Sequence, residues 1–419
     1  MLMSFKNWKS WYRSLPWSLR WFVILVLIRP VVDNFYYLKE VSPLLSPLYF
    51  VGVATPILAL YTIIKKSKPN YSRLDTYMGI FSLLIAISCC SLLISDLFGM
   101  EAIEFTLKFS FPFFIYFFCR RLIRTKEDLH GVFQTFLYST FFVIGIFCYE
   151  LIFNPINIQI SRGLERFQGS YADVMNYAIY MSGGILIICY AFIEKSSHTT
   201  LSTLRRLIPL LFAIILGVLL LFNIHHTASY TVFFAILILF LLHTLKANLG
   251  YGIVFVIAVG ALVYFDGSTS FDEKIRPLIE TDISVYEGDK DSELLLHGRV
   301  GRWMRFFDHF NAASSVVQLF GLPLGMDHPY VYIGKGSHND FVRTTMFNGY
   351  IGLIVYVLIL LNLLTRIVSY NLPMRFLGFG TMAVIILYSI STTPLLYPPL
   401  MYVLLPVFAM LALPQKAMD

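Results

Sequence analysis

The sequence predicts an all-α polytopic membrane protein, with about twelve transmembrane helices and a large external loop between the ninth and the tenth. Three observations predict it. Of 419 residues, 57% are hydrophobic and only 14% are charged, at a mean hydropathy of +0.70. No soluble domain of this size has that composition. Apolar runs of about 18 residues or more, each able to cross a bilayer as a helix, recur along the chain. Basic residues fall in alternate loops between those runs. Strand-like alternation, the mark of a membrane barrel, is missing.

The elements follow in order. Lys6, Lys9, Arg13 and Arg20 precede an apolar run from Trp21, as in a signal sequence. The run continues into "RPVVDNFYYL" without a small-residue cleavage site, so an uncleaved first span is expected at 17–36. Further spans are expected at 43–64, 74–95, 103–122, 130–153, 174–193, 207–223, 228–245, 250–265, 345–366, 374–391 and 396–412. "KKSKPNYSR" (65–73), "CRRLIRTKEDLH" (119–130), "EKSSHTTLSTLRR" (194–206), Lys246, Arg366, Arg375 and Lys416 then share a side with the basic N-terminus. The opposite loops are poor in Lys and Arg: Asp96 to Glu104 is acidic, and Asn223 to Thr227 has no Lys or Arg. The positive-inside rule places both termini in the cytoplasm. One integral membrane domain, 1–419, is expected, with 266–344 as the large loop outside the cytoplasm. Loops of that length translocate regardless of charge.

The net charge of +7 reflects this loop bias and implies no nucleic-acid partner. Cys89, Cys90, Cys119, Cys148 and Cys189 all lie in or beside apolar runs and suit small buried hydrophobes. They offer neither a disulfide framework nor zinc spacing. "DKD" (289–291) lies in a loop already rich in carboxylates, with no His at ligand spacing, so no metal and no cofactor is assigned.

Distinctive polar groups converge on the external face. In "GKGSHNDFVRTTMFNGYIGLIVYVLILL" (334–361), polar residues stop abruptly where a long apolar run begins. "SHND" has the form of a capping box, with Ser337 as N-cap and Asp340 at the third helical position. His338 and Asn339 would then sit in the first turn. A helix N-terminus attracts phosphate and disfavours a protonated imidazole. A neutral imidazole beside an anion site is what a general base needs. The plainer alternative is that His338 and Asn339 only cap an interfacial helix. Arg343, three residues after Asp340, fits either a surface ion pair or a substrate contact.

In "SELLLHGRVGRWMRFFDHFNAAS" (292–314), Leu296, Val300, Trp303, Phe307 and Phe310 recur at helical spacing beside Arg299, Arg302 and Arg305. This suits an amphipathic helix on the outer leaflet. Guanidinium binds phosphate in two-pronged fashion, so Arg299 is favoured as a substrate ligand. For Arg302 and Arg305, lipid headgroups are an equal alternative. Arg166 precedes Gly169, Asp173 and Asn176 before the sixth span, where Gly169 permits close backbone approach. Arg29 and Asp33, spaced i, i+4, are most simply a structural ion pair. "HHT" (225–227), with His226, is open to either reading.

Together these residues resemble the O-antigen ligase and Wzy-type O-antigen polymerase superfamily of bacterial membrane glycosyltransferases. One pattern is His-Asn, nine residues, Gly, two residues, Gly, carried by His338, Asn339, Gly349 and Gly352. A second is Gly298-Arg299 with Trp303, followed by "GLPLG" (321–325). A third is Arg166, Gly169 and Asn176. The large loop between the ninth and tenth spans matches as well. The resemblance implies transfer of an undecaprenyl-pyrophosphate-linked glycan to an acceptor glycan at the periplasmic face of the inner membrane. It implies His338 as the base and Arg299 and Arg166 on the pyrophosphate, among membrane lipids and beside a chain-length regulator. Family ligases often carry a Thr/Ser-Arg pair where this chain has "HHTASYT" (225–231). The missing Arg favours a polymerase, with His226 as a partial substitute. A ligase acting on lipid A–core or protein, and a transporter of lipid-linked glycan, are the rival expectations. A transporter would keep its key charges near the membrane midplane.

Overall fold

The computed structural model describes residues 2–42, 45–65, 71–94, 100–161, 164–196, 201–247, 276–321 and 337–414. Of the described residues, 82% are helical. In chain order the helices are α1 (Phe5–Ser14), α2 (Trp17–Asp33), α3 (Leu38–Val41), α4 (Pro47–Lys65), α5 (Arg73–Ile94), α6 (Met100–Leu122) and α7 (Lys126–Ile152). A hairpin follows, β1 (Ile158–Ser161) and β2 (Leu164–Phe167), then α8 (Met175–Ser196), α9 (Leu201–Ile224) and α10 (Thr227–Ala247). The long loop contributes α11 (Arg276–Tyr286), α12 (Leu295–Asn311) and α13 (Ser315–Phe320). The chain finishes with α14 (Asp340–Ser369), α15 (Leu372–Ser391) and α16 (Pro398–Leu411).

Helices occupy the expected spans except the ninth, 250–265, which lies outside the described residues. Among the described residues, seven helices are long and apolar enough to cross a membrane: α4, α5, α7, α8, α10, α14 and α15. The chain is therefore a helical membrane protein. Of the best window in α8, 89% is buried, against 22% in α4. A helix apolar all round and buried all round is the centre of a bundle, whereas α4 turns its apolar side chains outward, as lipid requires. Around α8 pack α7, α9, α10, α15 and α16.

One end of the bundle is closed by polar pairs, of which Arg120–Asp75 is buried. Arg120 holds Asp75 at 2.6 Å and 2.9 Å, with the Tyr116 hydroxyl donating to the same carboxylate at 2.7 Å. Lys126 and His130 both meet Glu194, at 2.6 Å and 2.9 Å. The helix α1 lies across the start of α7, where the Trp8 and Trp11 indoles donate to Thr135 and Asp128. Gly131 leaves the room that Trp11 fills.

The opposite end carries the hairpin and the loop helices. Here α14 is kinked at Gly349, whose backbone (φ 68, ψ −173) breaks the helix. A Cβ on Gly349 would overlap the Leu319 carbonyl, and one on Gly321 would overlap the Phe347 carbonyl, so α13 is wedged against the kink by backbone contact. Ser88 of α5 donates to the freed Phe347 carbonyl at 2.9 Å. Phe306, Phe310, Ala313 and Val317 of the loop bury against Val342 and Met346 of α14. The face of α12 therefore docks on protein and not on a leaflet as periodicity suggested. Leu296, expected on that face, is exposed, and Phe306 takes its place.

Candidate functional site

The site is built on the start of α14. Its N-cap is Asn339 and not Ser337: the Asn339 Oδ1 accepts from the Phe341 and Val342 amides at 2.9 Å and 3.1 Å. Its Nδ2 donates to the Ile390 carbonyl of α15 at 3.3 Å. Asp340 is accordingly the first helical residue, and the expected capping box does not form. Ser337 and Asn339 compete for one cap. Asn339 wins because its amide also ties down a neighbouring helix, while the Ser337 hydroxyl turns to the Asn339 carbonyl at 3.1 Å.

The correction changes where His338 stands. It is not in the first turn but just outside the cap, with a left-handed backbone at φ 47. That conformation keeps the His338 backbone out of the helix, and the residue is exposed. Trp303 of α12 donates to the Ser337 carbonyl at 2.8 Å, which fixes the loop helix beside the histidine. Gly298, at φ 74, shapes the irregular first turn from which Arg299 leaves. Arg299 and Arg302 are both half-buried there. Partial desolvation, then the positive charges of Arg302 and Arg299, hold the His338 imidazole below its ordinary pKa. Burial and Arg305 likewise lower the Arg302 guanidinium. These causes favour the neutral imidazole, with Arg299 and Arg302 close enough to act on it.

Asp340 and Arg343 have a different part. Both are buried and form an ion pair with each other. Arg343 lies over the Phe109 ring at 4.3 Å, and the Leu395 amide donates to Asp340 at 3.2 Å. The pair packs α14 against Phe109 of α6 and the turn Pro394–Leu396.

Arg166 sits in β2 with its side chain turned inward. The hairpin, too short for periodicity to reveal, pairs it with Gln159. Gly169, at φ 64, packs where a Cβ would strike the Tyr177 hydroxyl, as the close approach required. The positive charge of Arg166 acts on Asp173, whose carboxyl is raised by burial despite bonds from the Met175 amide and Tyr397. The Tyr397 hydroxyl donates to Asp173 at 3.2 Å. Arg166 is therefore tied into this end through Asp173, Tyr397 and the turn that reaches Asp340. His226 is half-buried, 2.9 Å from the Ser229 hydroxyl, in a network with Tyr388 of α15. It stands at the same end of the bundle, at the start of α10.

A cavity of about 360 Å³ opens beside this group, lined by residues of α2, α4 and α6, the Ala172–Asn176 segment and the Thr393–Pro399 segment. Among the residues lining it, Lys108, Tyr49 and Tyr397 escaped the sequence reading. The signal for Lys108 was a lone ionisable residue inside an apolar run. A second cavity, of about 310 Å³, lies between α7, α8 and α9 and is mainly apolar. No group of His, Cys, Asp and Glu able to hold a metal occurs among the described residues. Compared with known proteins, the chain matches no family model and no curated sequence.

Proposed function

We propose that the protein is a metal-independent membrane glycosyltransferase that polymerises undecaprenyl-pyrophosphate-linked oligosaccharide repeat units at the periplasmic face of the bacterial inner membrane. The observation that carries this reading is the grouping of an exposed His338 with Arg299 and Arg302, whose charges hold the imidazole below its ordinary pKa, at one end of a membrane bundle. In the proposed reaction, His338 takes the proton of an acceptor hydroxyl. The oxygen attacks the anomeric carbon, and the carbon–oxygen bond to the pyrophosphate breaks with its electron pair leaving on phosphate. The arginines stabilise that departing charge, which a good leaving group with a cationic clamp needs in place of a metal. Arg166 would act from the hairpin side. The residues that separate polymerase from ligase are few; the lack of Arg near His226 favours the polymerase. Distinctive charges at an end of the bundle, away from its middle, favour an enzyme over a transporter.

The test is purified protein in detergent with undecaprenyl-pyrophosphate-linked repeat units and no other acceptor, products resolved by length. A ladder of repeats is expected, and Arg299→Lys should lose it, because a point charge does not replace a planar fork. Transfer only when lipid A–core or protein is added would make the enzyme a ligase. No transfer in any of these conditions would return the transporter.

A further inference from the structure

The cavity beside α2 has chemistry that the proposed transfer does not use. Its polar lining is balanced: Arg29 and Lys108 carry positive charge, Asp33 and Asp173 negative. A pyrophosphate placed there would face two carboxylates, and a cation would face two basic groups. A neutral polyhydroxyl ligand suits both, since each hydroxyl donates and accepts. Asp33 is only 6% exposed; its Oδ1 accepts from Arg29 at 2.7 Å, while its Oδ2 has no hydrogen-bond partner among the described residues. Asp33 lines the cavity, and a buried carboxylate oxygen without a partner is stabilised by any donor an occupant brings to it. Tyr36, Tyr49 and Phe111 supply ring surface to the same space, and the apolar face of a sugar ring packs on such surface. At about 360 Å³ the volume falls within the usual range of small-molecule sites, about 300–1,000 Å³.

Position adds a second argument. The cavity wall includes Thr393, Leu396 and Tyr397. The same segment donates from Leu395 to Asp340, two residues from His338, and from Tyr397 to Asp173. A chain of sugars with one end at His338 would run toward this space.

We propose that this cavity is a saccharide-binding site that holds neutral sugar units of the glycan away from the reacting bond. The inference rests on the glycosyltransferase reading but has its own readout. The probe is the lipid-free repeat-unit oligosaccharide released from the surface polysaccharide of the producing cell, with binding followed by saturation-transfer NMR on the purified full chain. Wild type and His338→Ala should bind it alike. Tyr49→Ala and Asp33→Asn should each bind about tenfold more weakly, the scale of one lost hydrogen bond to a charged group or one lost ring contact. Melting curves show whether each variant folds; Tyr49, half-buried at the rim, carries the test if Asp33→Asn does not. Unchanged binding in folded cavity variants overturns the site. Tight binding of inorganic pyrophosphate that Tyr49→Ala or Asp33→Asn alters would make it an anion site and overturn it too. Oligosaccharide binding that depends on Tyr49, without any transfer by wild type, would remove the transferase reading and leave the saccharide site standing. Transfer by wild type with unchanged KM in Tyr49→Ala would do the reverse.

Discussion

His338 holds a backbone that glycine would hold at lower cost. A non-glycine residue in the left-handed region costs about 1–3 kcal/mol, and such strain persists where it serves function. His338→Gly should therefore raise the stability of the purified protein by about 1 kcal/mol and abolish glycan transfer together. His338→Ala should lose transfer without that gain. Ladders of normal length from either variant would sink the base assignment. A second expectation concerns pH. With its pKa lowered by partial desolvation and by Arg302 and Arg299, the imidazole is a base at neutral pH and is lost as the pH falls through its own value. The pH–rate profile should carry an acid limb with an apparent pKa below about 6.5, the ordinary imidazole value. A limb above that value would contradict a His338 flanked by cations. Arg299, Arg302 and His338 were legible because each stands out against an apolar chain. Lys108, Asp33 and Tyr397 were not legible as one cavity, because five separate stretches of chain assemble it and no spacing in the sequence records that meeting.

Helices and their ends differ in how much the sequence discloses. Apolar runs fix where helices lie, since nothing else satisfies a backbone in lipid. Caps are harder to read: Ser337 and Asn339 are both good cap residues, and only the Ile390 carbonyl across the bundle selects between them. The buried face of α12 was misplaced for a similar reason, since its partner is α14 and not a leaflet, and periodicity names a face without naming what covers it. The Gly349 kink allows a sharp test. Gly349→Ala puts a side chain at φ 68 and into the Leu319 carbonyl. A loss of about 3 kcal/mol or more is expected, with α12 and α13 becoming sensitive to limited proteolysis. A variant as stable and as resistant as wild type would show that α13 is not wedged there.

At the scale of the whole molecule, the basic clusters and the candidate site occupy opposite ends of one bundle. If the positive-inside rule sets the orientation, the end with His338 faces away from the cytoplasm. A cysteine placed at exposed Ser314 in a cysteine-free background should react with a membrane-impermeant thiol reagent in cells with a permeable outer envelope. One at exposed Arg124 should react only after the inner membrane is opened. The reverse pattern would turn the molecule over and with it the proposed substrate. The wedge at Gly349 has a mechanical meaning as well. The loop helices that carry Arg299 and Arg302 are pinned by Trp303 and by α13 to the same helix that presents His338. In the proposed reaction, base and anion clamp would thus form a single tool head on one shaft, and tilting α14 would carry them together.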